Sequence, residues 1–398
     1  MPEERVLIAG AGPVGLVAAA RLVRQGIPVT VLEAGSALGT ESRASTFHPP
    51  TLDMLHELGA ADPLRAQGLE APEVQYRSKA EGLIAQFDFR DIGDLTAHPY
   101  RVQTEQSKLT RILLEQLERD PNFEIEFGSA LEGMEQDETG VRVTLRRGED
   151  RQIRTGRFLI GADGARSATR RAANIEFEGF TWPERFLVLS TPFDFKDVIP
   201  DLVSVNYVAD PQHWHFLLRI PHLWRVMFPI GPDTSDDTAL DPAFGQSLMA
   251  RVVPGITHYE IVHTTLYRVH QRVAKQFRVG RVFLAGDAAH INNPLGGMGM
   301  NGGIHDAINL SDRLAQVWAG QAGENSLDLY DRQRRTVTME SVQTQTIQNK
   351  RDLEAADPAA QAEFRDRLRA TSADPAKTRE FLKRISMVAS LHRAAALN

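Results

Sequence analysis

The run Arg5-Val6-Leu7-Ile8-Ala9-Gly10-Ala11-Gly12-Pro13-Val14-Gly15 constrains the fold most, because it sets its glycines between an apolar strand and an apolar helix. Arg5–Ala9 reads as a short buried strand, Val14–Gln25 as a helix stopped by Gly26, and Pro28–Glu33 as the next strand. Residues 5–33 therefore make one βαβ unit. In such a unit Gly10 permits the tight turn, Gly12 admits a pyrophosphate to the backbone, and Gly15 lets the helix close on the strand. The helix that starts at Pro13 offers unbonded N–H groups from Val14 onward and a partial positive charge to phosphates. Glu33, at the end of the second strand, has the position from which a carboxylate accepts ribose hydroxyls. The later segment Gly297–Gly302 repeats the glycine spacing but follows a proline and a loop, so it is not a second unit. The chain thus carries one dinucleotide site and no separate nicotinamide domain.

A chain of 398 residues exceeds the size at which single cores stop growing, so two intimately joined domains are expected. A net charge of −7 without a long basic run argues against nucleic acid or an anionic membrane as partner. The absence of cysteine excludes disulfides, thiolate metal sites and cysteine nucleophiles, and suits the reducing cytoplasm. No metal site is expected. The apolar stretch Val6–Val23 follows Pro2-Glu3-Glu4-Arg5 rather than a basic region, and glycines and a proline interrupt it. It reads as neither a signal sequence nor a membrane span, and the expected location is cytoplasmic.

Further along, Thr51–Leu58 reads as a helix closed by Gly59, and Gln106–Arg119 as a helix with Leu109, Ile112, Leu113 and Leu117 on one face. Residues 123–160 read as short strands ending on the buried run Phe158-Leu159-Ile160. Period-2 stretches at Leu187–Ser190, Val203–Val208, Trp214–Arg219 and Arg225–Ile230 predict a mostly antiparallel sheet. Arg281–Ala285 is again a buried strand, followed by a loop and a helix beginning near Asn301. The expected architecture is α/β: a Rossmann-type domain with an inserted, mostly antiparallel β-sheet domain and C-terminal helices. The dinucleotide-binding domain takes residues 1–73, 104–175 and 276–340, the inserted domain 74–103 and 176–275, and the C-terminal helices 341–398.

Two more segments carry chemistry. Gly286-Asp287 follows the strand Arg281–Ala285, so the carboxylate emerges at a strand's C-terminal end, where α/β ligand sites lie. Beyond it Pro294, Leu295, Gly296, Gly297, Met298, Gly299, Met300 and Asn301 lead into a helix with little bulk at the glycines. Such a segment can press backbone N–H groups against an anionic ring edge. The block GDAAH-x3-PxGGxGMNxGIxDAxNL, with the GADGxxSxxR segment at Gly161–Arg170, resembles the FAD-dependent aromatic-ring monooxygenases of the para-hydroxybenzoate hydroxylase group. The resemblance covers roughly residues 5–345.

That resemblance implies roles for particular residues. Asp163 falls on the aspartate that contacts the flavin ribose and is implicated in nicotinamide binding. Asp287 falls on the ribityl contact. Arg43 leads the segment beside the flavin, Gln106 starts the helix that meets the ribityl chain, and Leu131 takes the backbone contact to adenine. The implied cofactor is non-covalent FAD, with NADH or NADPH as transient reductant, in a monomer or homodimer. The implied reaction delivers a hydroxyl from a flavin C4a-hydroperoxide to an electron-rich small aromatic substrate, a phenol or hydroxy-heteroaromatic ring, at the expense of molecular oxygen. A variant expels a ring substituent.

The residue that governs the substrate hydroxyl has four candidates. Tyr207, four residues before Pro211, resembles the strand-end tyrosine that hydrogen-bonds the phenol in the family. His213 and His215 alternate about Trp214 and should share one face of a strand. His48 lies in the flavin-adjacent segment. His290 and His305 read as structural, and Arg219 and Arg225 as sheet or surface arginines. The competing functions are a flavin-dependent halogenase, for which the WxWxIP segment is missing and Lys79 lacks context, and a reductase or oxidase of the same fold.

Overall fold

The first layer is set by strands too short and too apolar to face water. In the computed structural model, which describes residues 4–40, 44–210, 214–354 and 357–398, Val6–Ala9 is buried throughout. It pairs in parallel with Val29–Leu32 on one side and Phe158–Gly161 on the other. The full sheet has six strands, ordered Arg278–Val279, Val282–Leu284, Phe158–Gly161, Val6–Ala9, Val29–Leu32 and Phe123–Glu126. Only the outermost pair is antiparallel. Alternate side chains serve two cores. Val6 and Ile8 pack with the helices Pro13–Val23 and Met298–Trp318, whereas Leu7 and Ala9 meet Val141, Val143 and Leu145 of a three-stranded sheet spanning 130–156. A strand covered on both faces needs no polar alternation, which is why these segments read as unbroken apolar runs.

The second layer is an eight-stranded sheet. Its order is His290–Ile291, His263–Ala274, Phe177–Thr191, Leu223–Ile230, His215–Ile220, Val205–Ala209, Glu73–Ser78 and Gly82–Asp88. All its pairs are antiparallel except Val205–Ala209 with Glu73–Ser78. One face packs on the C-terminal helices through Leu353, Phe364, Leu368, Leu382 and Ile385, and the other on Ala239, Leu248 and Met249. Two short helices, Asp236–Leu240 and Pro242–Met249, supply that second cover, each capped by the side chain before it, Ser235 and Asp241. The period-2 reading assigns them no element. The long strands Phe177–Thr191 and His263–Ala274 tie the layers together, since Phe177, Val273 and Ala274 end in the first core.

Two other boundaries differ from expectation. Arg101–Gln103 leaves the large sheet and joins Thr46–Phe47 and Leu69–Ala71 in a small sheet of its own. The long helix starts at Met298, earlier than Asn301, because Gly297 at φ 67° acts as its left-handed cap. Near the C-terminus, Asp357 and Asp374 cap Pro358–Ser372 and Pro375–Ile385, and each is followed by a proline whose missing N–H costs a helix start nothing. No helix among the described residues is long and apolar enough to cross a membrane.

Candidate active site

Steric limits explain the first glycines. Gly10 has φ 102°, and a Cβ there would lie 2.5 Å from the Ala162 carbonyl oxygen. A Cβ on Gly15 would lie 2.0 Å from the Gly10 carbonyl oxygen, so helix and strand would have to separate. A Cβ on Gly12 meets nothing within 4 Å, although its backbone is ordinary. Gly12 therefore sits at an open cradle at the helix start, as close approach of a phosphate requires. Glu33 spans the mouth of this cradle, accepting the Ala11 N–H at 2.7 Å and the Gly35 N–H at 2.7 Å, and each carboxylate oxygen keeps a lone pair for a hydroxyl. Val14 closes the other side. A Cβ on Gly286 or Gly303 would come within 2.8 and 2.6 Å of its Cγ2, so the third segment is glycine-rich where it touches the first. These residues fit a dinucleotide.

Asp287 emerges exposed from the turn after Val282–Leu284. Asp163 does a local job: it accepts Ser167 Oγ at 2.5 Å, Thr169 N–H at 2.9 Å and Thr169 Oγ1 at 3.0 Å, which fixes the start of the helix Ala168–Ala172. Gln106 begins the helix Gln106–Leu117, and Leu131 lies on the strand Ala130–Gln136. Arg43 and His213 lie outside the described residues.

Beneath the third segment is a buried charge network that no sequence expectation includes. Asp306, wholly buried, accepts the Gly286 N–H at 3.1 Å, His290 Nε2–H at 2.7 Å and Arg334 Nε–H at 2.7 Å. These donors and the positive Arg334 hold its carboxyl below the usual carboxylate range against the effect of burial. His305 pairs with Thr51 Oγ1 at 2.9 Å, and burial, with Arg334 adding, depresses it to about 3. Both histidines are thus structural. Asp306 was visible within the GIxDAxNL block, but its partners come from other elements.

Gly296 joins the cofactor segment to the large sheet. The His48 ring nitrogen Nε2 lies 2.8 Å from the Gly296 carbonyl oxygen, which can only accept, so Nε2 carries the proton. Burial foremost, then Arg101, pushes His48 well below its ordinary pKa. Asn301 keeps this corner together, accepting the His48 N–H at 2.9 Å and donating to the Thr46 and Gly297 carbonyls at 2.8 and 2.6 Å. Its amide is spent on backbone, and Met298 and Met300 are buried in protein, so Pro294, Gly297 and Gly299 leave mainly backbone for a ligand.

Tyr207, 4% exposed, reaches the same corner from the large sheet. Tyr76 stacks on its ring at 5.1 Å. Arg101 and the Gly296 backbone favour its ionised form, but burial outweighs both and raises its pKa, so the hydroxyl keeps its proton. His215 is not part of this corner. It pairs across the sheet with Val208, not Tyr207, and so projects with Val208 and Leu217 to the opposite face, against Phe228. The register turns His215 away from this corner. Arg219 is engaged by Asp194 at 2.9 Å, Arg225 approaches Glu105 at 4.0 Å, and Lys79 is exposed beside Asp210. Sequence reasoning missed Arg101 and Tyr76, whose only local signal is a polar residue in a short strand.

Known proteins resemble this chain in sequence and fold. The FAD binding domain family model matches residues 3–345. Para-nitrophenol 4-monooxygenase of Pseudomonas sp. strain WBC-3 is 34% identical over 95% of this chain and 94% of its own. The 6-hydroxy-3-succinoylpyridine 3-monooxygenase HspB of Pseudomonas putida strain S16 is 36% identical over 88% and 89%. The crystal structure of p-nitrophenol 4-monooxygenase PnpA from Pseudomonas putida DLL-E4 superposes with a TM-score of 0.91 at 32% identity, covering 98% of both chains. With the open glycine cradle and the fold, these likenesses make the chain a member of the FAD-binding-domain family of flavin-dependent aromatic monooxygenases.

Proposed function

We propose that the protein uses FAD and NADH or NADPH to hydroxylate a small phenolic or hydroxy-heteroaromatic ring. One oxygen atom enters the ring C–H bond as a hydroxyl, the other leaves as water, and NAD(P)H with one proton supplies the two electrons and two hydrogens that the water requires. FAD provides hydride acceptance and oxygen activation when bound. The observation that carries the reading is the Tyr207 hydroxyl, 4% exposed, stacked on Tyr76 and kept protonated by burial, with Arg101 and Gly296 as its charged and backbone neighbours. Its proton is available to donate. A donor of that kind stabilises negative charge on a substrate oxygen, and an ionised hydroxyl feeds electrons into the ring at the carbon to be attacked. Tyr207 is the proposed catalytic residue. His48, held neutral and bonded to the Gly296 carbonyl, is a poor proton acceptor and serves as a positioning residue for the segment Tyr207 meets. Glu33, Gly12, Asp163, Asp287 and the backbone of 296–299 are the proposed cofactor contacts. The absence of cysteine and the need for NAD(P)H favour the cytoplasm.

A second reading, attack at a substituted carbon with departure of the substituent, draws support from the para-nitrophenol relatives. Release of nitrite from para-nitrophenol distinguishes it from simple hydroxylation.

Tyr207→Phe keeps the ring and its stacking while deleting the donor. Phenol-stimulated NAD(P)H oxidation should continue, while ring product per NAD(P)H falls and hydrogen peroxide rises. Losing a hydrogen bond to a charged oxygen, about 1.5–3 kcal/mol, corresponds to roughly a tenfold to hundredfold slower hydroxylation step. Full coupling in Tyr207→Phe would reduce Tyr207 to a wall residue. If no phenol or hydroxypyridine stimulates NAD(P)H oxidation by the wild type, the hydroxylase reading itself is wrong.

A further inference from the structure

Arg101 is 2% exposed, and a guanidinium buried to that extent ordinarily faces a carboxylate. Arg334 has Asp306 at 2.7 Å and Arg225 approaches Glu105, whereas buried Arg170 meets no carboxylate at that range among the described residues but is satisfied by two carbonyls at 2.8 Å, those of Ala288 and Ala165, under the Phe177 ring. Arg101 has no carboxylate at ion-pairing distance among the described residues. Its Nη2 donates to the Ile385 carbonyl at 3.3 Å, at the end of the helix Pro375–Ile385, and its carbon lies 4.8 Å from the centre of the Phe89 ring. Its buried Nε has no hydrogen-bond acceptor among the described residues. The remaining neighbours are neutral. Tyr207 and Tyr76 are kept protonated by burial, and His48 is kept unprotonated. Asp352 and Arg384 act from farther out, on Tyr76. A helix C-terminus offers about half a negative charge, so roughly half of the Arg101 charge is unanswered among the described residues.

We propose that Arg101 is the specificity-determining residue of this site, selecting ring substrates whose hydroxyl binds as the oxyanion beside Tyr207. The proposal rests on the reading that the site takes a phenolic ring. An oxyanion there receives the Tyr207 hydroxyl proton as a hydrogen bond and the Arg101 charge together. No protein base is needed: the substrate O–H bond breaks on binding, the oxygen keeps the electron pair, and the proton passes to solvent. A carbonyl and a ring face can satisfy the shape of a guanidinium but not its charge, which is what makes an anion the fitting partner.

The test is a titration of para-nitrophenol into the FAD-loaded protein without NAD(P)H, so that nothing turns over. The working pH is about one unit below the pKa of the free phenol, where it is mostly neutral. The ionised form is coloured and is read directly, with flavin absorbance and proton release in weak buffer as further signals. In the wild type the bound ligand should show the phenolate band and release a proton. Arg101→Gln should bind at least about tenfold more weakly and show the neutral form, a loss of at least about one unit of pKa depression. Arg101→Lys, which keeps the charge without the fork, should retain the band at intermediate affinity. The methyl ether, 4-nitroanisole, cannot ionise and should bind wild type and Arg101→Gln alike. A neutral bound form in the wild type overturns the proposal, even where Arg101→Gln fails to fold. So does a phenolate band of wild-type affinity in an FAD-loaded Arg101→Gln. If the wild type binds neither compound and its flavin spectrum does not move, the phenolic-ring reading falls, and the assignment of Arg101 falls with it.

Discussion

Replacing Asp306 by asparagine should cost this protein a large part of its stability and loosen its hold on FAD in the same step. The carboxylate has no solvent exposure and serves three donors: Gly286 N–H, His290 Nε2–H and Arg334 Nε–H. An amide offers one oxygen and one NH2 group. If the oxygen stays with Arg334, the NH2 group is turned against the Gly286 N–H, which cannot become an acceptor. If it stays with Gly286, Arg334 is left as a buried charge facing a donor. Arg334 is 1% exposed and cannot reach water. Stranding one partner of a buried pair costs about 3–5 kcal/mol, against a total of about 5–15 kcal/mol for a typical protein. The freed Gly286 begins the turn that carries Asp287, so each 1.4 kcal/mol lost there corresponds to about tenfold weaker FAD binding. Thermal unfolding of the FAD-loaded protein and fluorescence titration of FAD into the apoprotein measure the two effects. The double variant Asp306→Leu with Arg334→Met leaves no charge behind and should lose clearly less than the two single losses added together. An Asp306→Asn protein within about 1 kcal/mol of wild type, with unchanged FAD affinity, would refute the argument.

Two more outcomes follow from the geometry. Gly12→Val, placed where a Cβ meets nothing, should leave apoprotein unfolding within about 0.5 kcal/mol of wild type yet weaken FAD by more than about tenfold. Gly15→Ala, with its Cβ 2.0 Å from the Gly10 carbonyl oxygen, should fail to fold stably, and equal behaviour of the two variants in unfolding scans would contradict the cradle. His305 has its pKa depressed by burial to about 3 from 6.5, so the unfolded chain binds a proton that the folded protein refuses. The neutral form's stability is complete above pH about 6.5 and is lost as pH falls toward 3, by about 1.4 kcal/mol per unit, with His48 adding to the same window. Unfolding midpoints between pH about 5 and 7 should fall less steeply for His305→Gln, and an unchanged slope would remove His305 as the cause.

The cofactor half of the site was legible because its demands are local. A Cβ excluded at Gly15 by the carbonyl of Gly10, five residues away, leaves its mark within one turn of chain, and a fully covered strand such as Val6–Ala9 announces itself as an apolar run. The same holds for Gly297, although the sequence placed the helix start a few residues late, since only the left-handed φ of that glycine fixes the boundary. Asp306 marks the limit of this locality. It stands in a recognisable block, but His290, Gly286 and Arg334 define its role, and they meet it from three separate elements.

The substrate half was legible only where a motif reached it. Tyr207 could be picked out by its distance from a proline, and His215 by alternation, yet alternation alone does not say which face of a sheet looks toward Gly296. The pairing of His215 with Val208 decides it, and pairing is a non-local fact. Arg101 is more extreme. Nothing around it in sequence signals burial, which comes from Phe89 on one side and from Ile385 on the other. The groups proposed to bind the cofactor are therefore fixed by steric rules inside short turns, and the groups proposed to face the ring by elements meeting across the chain. On the proposed assignment, changes at Arg101 or in the helix ending at Ile385 should alter which ring is accepted while Gly10, Gly12, Gly15 and Asp306 stay as they are, because none of these four residues takes part in that meeting.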